Sequence, residues 1–125
     1  MKAGDTFLYT DGSDNHLWVV ISDPAQDALA YVITVNLTSS PVCQDESCVL
    51  QREDHKDFIT RQTFVNYADA RALPPAVVRS KLDQGVFVKR PAVSPEVLKK
   101  IRQGAAVSDH FPLGFLDIMN EQGLV

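Results

Sequence analysis

Through the first two-thirds of the chain, apolar residues come in short runs separated by clusters of turn formers, a pattern that predicts strands rather than helices. Thr6-Phe7-Leu8-Tyr9 is a short run of aromatic and β-favouring residues, and Asp11-Gly12-Ser13-Asp14-Asn15 behind it predicts a turn. His16-Leu17-Trp18-Val19-Val20-Ile21 is almost unbroken in its apolar character and closes at Ser22-Asp23-Pro24. Such a run predicts a central strand buried on both faces. Ala30-Tyr31-Val32-Ile33-Thr34-Val35-Asn36 repeats the pattern and ends in Thr38-Ser39-Ser40-Pro41. Within the polar stretch from Val42 to Asp57, only Cys48-Val49-Leu50 reads as a strand. Phe58-Ile59 and Thr63-Phe64-Val65-Asn66-Tyr67 add a further β segment, with Thr63, Val65 and Tyr67 on one face and Phe64 and Asn66 on the other. Val86-Phe87-Val88 reads as a last strand, and the stretch from Leu73 to Leu82 holds a helical turn or two.

The period changes in the tail. Ser94-Pro95-Glu96 is a helix start, Ser as N-cap and Pro in the first turn, and Val97, Leu98, Ile101 and Ala105 then share a face. Gly104 is expected to end this helix. A second helix from about Pro112 to Asn120 would place Leu113, Leu116 and Met119 together and stop near Gly123. The expected fold class is therefore mainly β with C-terminal helices, α+β, in one domain over residues 1–125. Residues 1–90 would form the β part and 91–125 a helical tail packed on it. About five to seven short strands separated by turns suggest a small barrel or a strongly curved sheet, since closure removes sticky edges.

Length and composition narrow the class. The chain has 125 residues, enough for one core and too few for two. With 45% hydrophobic and 22% charged residues it is expected to fold, and disorder and coiled coil are disfavoured. No long apolar segment or secretory leader is evident, so a cytoplasmic protein with no membrane span is expected. Cys43 and Cys48 then stay reduced. A formal net charge of -4 and an isoelectric point near 5.2 supply no global attraction for polyanions. A local Arg and His cluster would have to serve any phosphate.

His16, at the rim of the most buried strand, and His55, in Arg52-Glu53-Asp54-His55-Lys56-Asp57, are the titratable candidates. Each also reads as an ordinary capping or surface residue, and His110 reads as structural or exposed. Asn36, Thr38 and Ser39 could hold a phosphate or sugar hydroxyl, or satisfy a turn. Arg52 and Arg61 bracket His55 and suit bidentate phosphate binding. Cys43, Cys48 and His55 match a zinc site only loosely in spacing and ligand number, so no metal is assigned. The sequence holds no glycine-rich phosphate loop, Ser nucleophile elbow or paired metal-binding His motif.

Gly4-Asp5-Thr6-Phe7, His16-Leu17-Trp18-Val19-Val20-Ile21-Ser22 and Val35-Asn36-Leu37-Thr38 together resemble the first strands of PemK/MazF-like toxins. Cys48-Val49-Leu50, Asp54-His55, Phe58-Ile59 and Val65-Asn66-Tyr67 are similar to a divergent branch of that superfamily, so the resemblance spans roughly residues 4–70. It implies a small SH3-like barrel cutting single-stranded RNA without a metal or cofactor, often as a homodimer, with an antitoxin protein as partner. The family's usual catalytic pair is an Arg at the start of the second strand and a Thr after the third. Thr38 matches the Thr, but His16 stands where the Arg would be.

The scheme this suggests uses His16, Thr38 and His55 as catalytic residues, the two imidazoles exchanging protons with the ribose 2′-OH and the leaving 5′-oxygen. Asn36, Ser39, Arg52 and Arg61 would bind the substrate, with Arg and Thr38 steadying the phosphorane. The acidic charge and the missing Arg favour a second reading, a non-catalytic SH3-like protein-binding module of a toxin-antitoxin or phage-related system.

Overall fold

A computed structural model describes residues 1–10, 16–27, 29–40, 42–43 and 45–125. The turn expected at 11–15 lies outside the described residues. The strands are β1 (Thr6–Tyr9), β2 (Leu17–Val20), β3 (Val32–Thr38), β4 (Val49–Leu50), β5 (Thr63–Leu73) and β6 (Phe87–Arg90). They form one antiparallel sheet in the order β4-β5-β3-β2-β1-β6. Helix α1 (Pro75–Asp83) connects β5 to β6, and α2 (Pro95–Val107) and α3 (Leu113–Glu121) complete the chain. The class is α+β, mainly β with helices at its C-terminal end.

All seven residues of β3 and all four of β2 are buried, as their apolar runs require. Strand alternation sends Leu17, Val19, Ile33, Val35 and Leu37 to one face, where Val97 and Ile101 of α2 and Met119 of α3 complete the larger core. Trp18, Val20 and Val32 point to the other face and meet Phe7, Phe87 and Val78 of α1 in a smaller core. The centroids of Phe7 and Phe87 lie 4.3 Å apart, fastening the edge strand β6 to β1.

The expected barrel does not close. β4 and β6 are the two edges and do not pair. β4 offers only two residues, and β6 runs into Pro91, which has no N–H for a ladder. A side chain spans the gap instead. His55, in the turn after β4, donates from Nε2 to the carbonyl of Pro91 at 2.8 Å, and the buried Thr6 hydroxyl donates to the same oxygen at 2.9 Å. A carbonyl only accepts, so the proton sits on Nε2. Among the described residues the buried Nδ1 has no hydrogen-bond partner.

Four further expectations change. Phe58-Ile59 is not a strand: both N–H groups turn back to the carbonyl of His55, and Ile59 is buried as an anchor in the larger core. β5 runs six residues beyond Tyr67, to Leu73. Gly104 does not end α2, which continues to Val107, with Ser108 as C-cap. The glycine is needed for close approach: a Cβ there would collide with the Tyr67 hydroxyl and lie 2.8 Å from Cβ of Cys48. That absence of a side chain lets the buried Tyr67 donate to the carbonyl of Ile101 at 2.6 Å. On α3, Met119 is buried but Leu113 is 77% exposed, so the predicted face is right only at its C-terminal end. Gly123 ends the helix at φ +70°, as expected.

Gly→Ala in an exposed helix stabilises by about 1 kcal/mol, but Gly104→Ala is expected to destabilise by about 1–3 kcal/mol through overpacking. Combining it with Tyr67→Phe, which removes the colliding hydroxyl, should cost less than the sum of the two changes. Urea unfolding of the two single variants and the double variant checks both expectations.

Candidate functional site

The site begins with a fault in the β3–β5 ladder. Thr34 pairs with Arg71 and Asn36 with Asn66, so Val35 alone faces Tyr67, Ala68, Asp69 and Ala70. The surplus makes an extended bulge-like irregularity, and bulges re-aim side chains. Asp69 is brought to Asn36, whose Nδ2 donates to Oδ2 at 2.5 Å. Asn36 is 1% exposed, and among the described residues its buried Oδ1 has no partner.

Beside the bulge lies an open cleft of about 470 Å³, lined by His16, Thr38, Ser40, Val42, Cys43, Asp45, Asn66, Ala68 and His110. His16 is half-buried at the start of β2, and its Nδ1 lies 3.1 Å from the carbonyl of Leu37. Because that carbonyl accepts, Nδ1 carries the proton and Nε2 is the basic nitrogen of the neutral ring. Thr38 is buried, and its oxygen accepts the N–H of Ser40 at 3.1 Å, bending the chain into the cleft wall. Asn66 follows from strand alternation, opposite the face of Val65 and Tyr67.

The far wall is tied to the α2–α3 turn. Asp45 accepts the Ser108 hydroxyl at 2.6 Å and the N–H of Ser47 at 3.0 Å, and the N–H of His110 donates to the Ser108 hydroxyl at 3.1 Å. Partial burial disfavours the Asp45 carboxylate, but hydrogen bonds from Ser108 and Ser47 and the charge of nearby His110 outweigh it. The pKa therefore lies below its ordinary value.

Of the residues proposed from sequence, His16 and Thr38 line this cleft. Asn36 lies under it as a support for Asp69, and the half-buried Ser39 does not line it. His55 is elsewhere, committed to Pro91, so the structure does not join it to His16 in one cleft. Arg52 is exposed beside Glu53 and Lys56 at a separate hollow, and Arg61 is exposed, contributing its carbonyl to Thr63. Cys43 lines the cleft, whereas Cys48 packs in the core with its thiol pushed up by burial. Among the described residues no three His, Cys, Asp or Glu side chains cluster as a metal site.

Asp45, Asn66 and His110 were not singled out by sequence for this role. Asn66 was recognisable from its place on the polar face. Asp45 precedes β4 and His110 follows α2, so the two are far apart in sequence and meet only through folding. In comparisons with known proteins, the chain matches no family model, no curated protein and no solved structure.

Asp45 has a depressed folded pKa, so its contribution to stability is present above the unfolded value of 3.8 and is lost as pH falls through the folded one. The stability difference between wild type and Asp45→Asn, from thermal melts, should be constant from pH 7 to about 5 and shrink below about 4.

Proposed function

We propose that this protein is a toxin-like endoribonuclease that cleaves single-stranded RNA without a metal, using the His16 cleft. The observation that carries the reading is the presence of two imidazoles, His16 and His110, with the Thr38 hydroxyl and the Asn66 amide in one open cleft. Phosphodiester transesterification needs a base for the 2′-OH and an acid for the leaving oxygen, and two histidines supply both.

In this reading Nε2 of His16 takes the 2′-OH proton as the oxygen attacks phosphorus. The P–O5′ bond breaks, and imidazolium His110 protonates the departing oxygen. The products are a 2′,3′-cyclic phosphate and a 5′-hydroxyl. Thr38 and Asn66 offer O–H and N–H donors to the phosphorane oxygens. Asp45, ionised and fixed by Ser108 and Ser47, lines the same cleft as His110 and places a carboxylate beside it. His110 thus takes the role first assigned to His55.

A second reading, a non-catalytic binding module, is favoured by one specific observation. The described lining residues include Asp45 but no Lys or Arg, and the chain's net charge is -4.

Purified protein incubated in EDTA with mixed-sequence single-stranded RNA should release cyclic-phosphate ends, read by mass, with a bell-shaped pH dependence. His16→Ala and His110→Ala should each lower kcat per folded molecule by about 10²–10⁴-fold. No cleavage by wild type across pH 5–9 would favour the binding module.

His55→Ala is expected to do the reverse. It removes a hydrogen bond across the sheet gap, so the free energy of unfolding, from urea titration, should fall by about 1 kcal/mol or more, while kcat per folded molecule stays near wild type.

A further inference from the structure

Beyond the cleft, on the same sheet face, the Arg71 guanidinium lies over the Trp18 ring at 4.6 Å from its centroid. Trp18 is 6% exposed and belongs to the smaller core, so it is a fixed floor. One edge of the guanidinium is held by Asp69 at 3.6 Å, and Asp69 is itself held by Asn36. The side chain of Arg71 nevertheless remains 50% exposed. A cation seated over a fixed aromatic floor and tethered by a carboxylate thus keeps half of its side-chain surface open to solvent.

From these contacts we infer that Arg71 is a stacking platform for one nucleobase of a bound single strand, the layers being Trp18, Arg71 and base. The inference rests on the ribonuclease reading and adds a specificity-determining residue to it. Unstacked bases bind RNA-recognising proteins by lying on aromatic rings or guanidinium planes. Arg71 faces Thr34, four residues from Thr38, so the platform lies about 13 Å along the strand from Thr38 and closer to the cleft edge at Asn66, which faces Asn36. It would receive a base flanking the scissile phosphate. Stacking also explains how an acidic chain could hold RNA: a base needs a π-face under it, not a basic field.

The rival role for Arg71 is a charge paired with a backbone phosphate, and lysine separates the two. Lysine keeps the charge and loses the plane. The experiment measures the affinity of wild type, Arg71→Lys and Arg71→Ala for a fluorescein-labelled 2′-O-methyl oligonucleotide of eight nucleotides, which binds but cannot be cleaved. A second series carries one abasic site at each position in turn. Stacking predicts that Lys and Ala both weaken binding by roughly 5- to 150-fold. It also predicts that one abasic position weakens wild type similarly and has no effect on Arg71→Lys.

Wild-type affinity in the Lys variant, or a flat abasic series with wild type, overturns the platform. So does a wild type that does not bind the oligonucleotide. The abasic series with wild type decides the matter even if a variant misfolds. Cleavage of unmodified RNA is scored separately: binding with the stacking signature but no cleavage removes the nuclease reading and leaves the platform, and cleavage with a flat series does the opposite.

Discussion

β3 is buried along its whole length, so its polar groups must look for partners inside the protein, and among the described residues Asn36 Oδ1 is the buried side-chain atom on it that finds none. On the face of the larger core this is simple, because Ile33, Val35 and Leu37 are apolar. On the other face Thr34, Asn36 and Thr38 are polar, and the sheet is arranged around their needs. Thr34 donates to the carbonyl of Arg71, Asn36 to Asp69, and Thr38 accepts from Ser40. The bulge in β5 brings Asp69 to Asn36, and the turn after Thr38 forms one wall of the cleft. A strand whose two faces differ in this way gives one face of the sheet to the larger core, while the other presents the cleft beside the smaller core.

The presenting half is assembled from segments that share few neighbours in sequence. The start of β2 supplies His16, the end of β3 Thr38, the bulged strand Asn66, and the α2–α3 turn His110. Asp45 and Ser108 connect the loop before β4 to the end of α2. The position of α2 is in turn fixed where Gly104 lets Tyr67 reach the carbonyl of Ile101. Helix docking in the larger core and geometry on the opposite face are therefore coupled through β5, which carries both Tyr67 and Asn66.

Much of the fold was legible because apolar runs and turn formers are local signals. The burial of β2 and β3, the N-cap at Ser94 and the α+β class all follow from residue order. The closed barrel was not borne out, because pairing of distant edges depends on strand length and on Pro91, not on the runs themselves. Gly104 misled for a related reason: glycine marks both helix ends and close approaches, and only the tertiary partner Tyr67 tells them apart. At the site, His16 and Thr38 were readable as polar residues flanking buried strands. His55 looked chemical because its neighbours in sequence are charged, yet folding buries it under a carbonyl. The placement of Asp69 was not legible because it comes from a register shift that no periodicity records.

The pairing of β1 with β6 joins Thr6 to Arg90 and Phe7 to Lys89. During synthesis, β2 can pair with β1 early, whereas the other edge of β1 waits for about 70 more residues, roughly 4–14 s at ordinary translation rates. Through that interval Phe7 lacks Phe87, and the outer hydrogen-bonding groups of β1 form an open template. When β6 arrives it brings the exposed Lys89 and Arg90 to the new border, so an open edge of the nascent chain is replaced by a charged one.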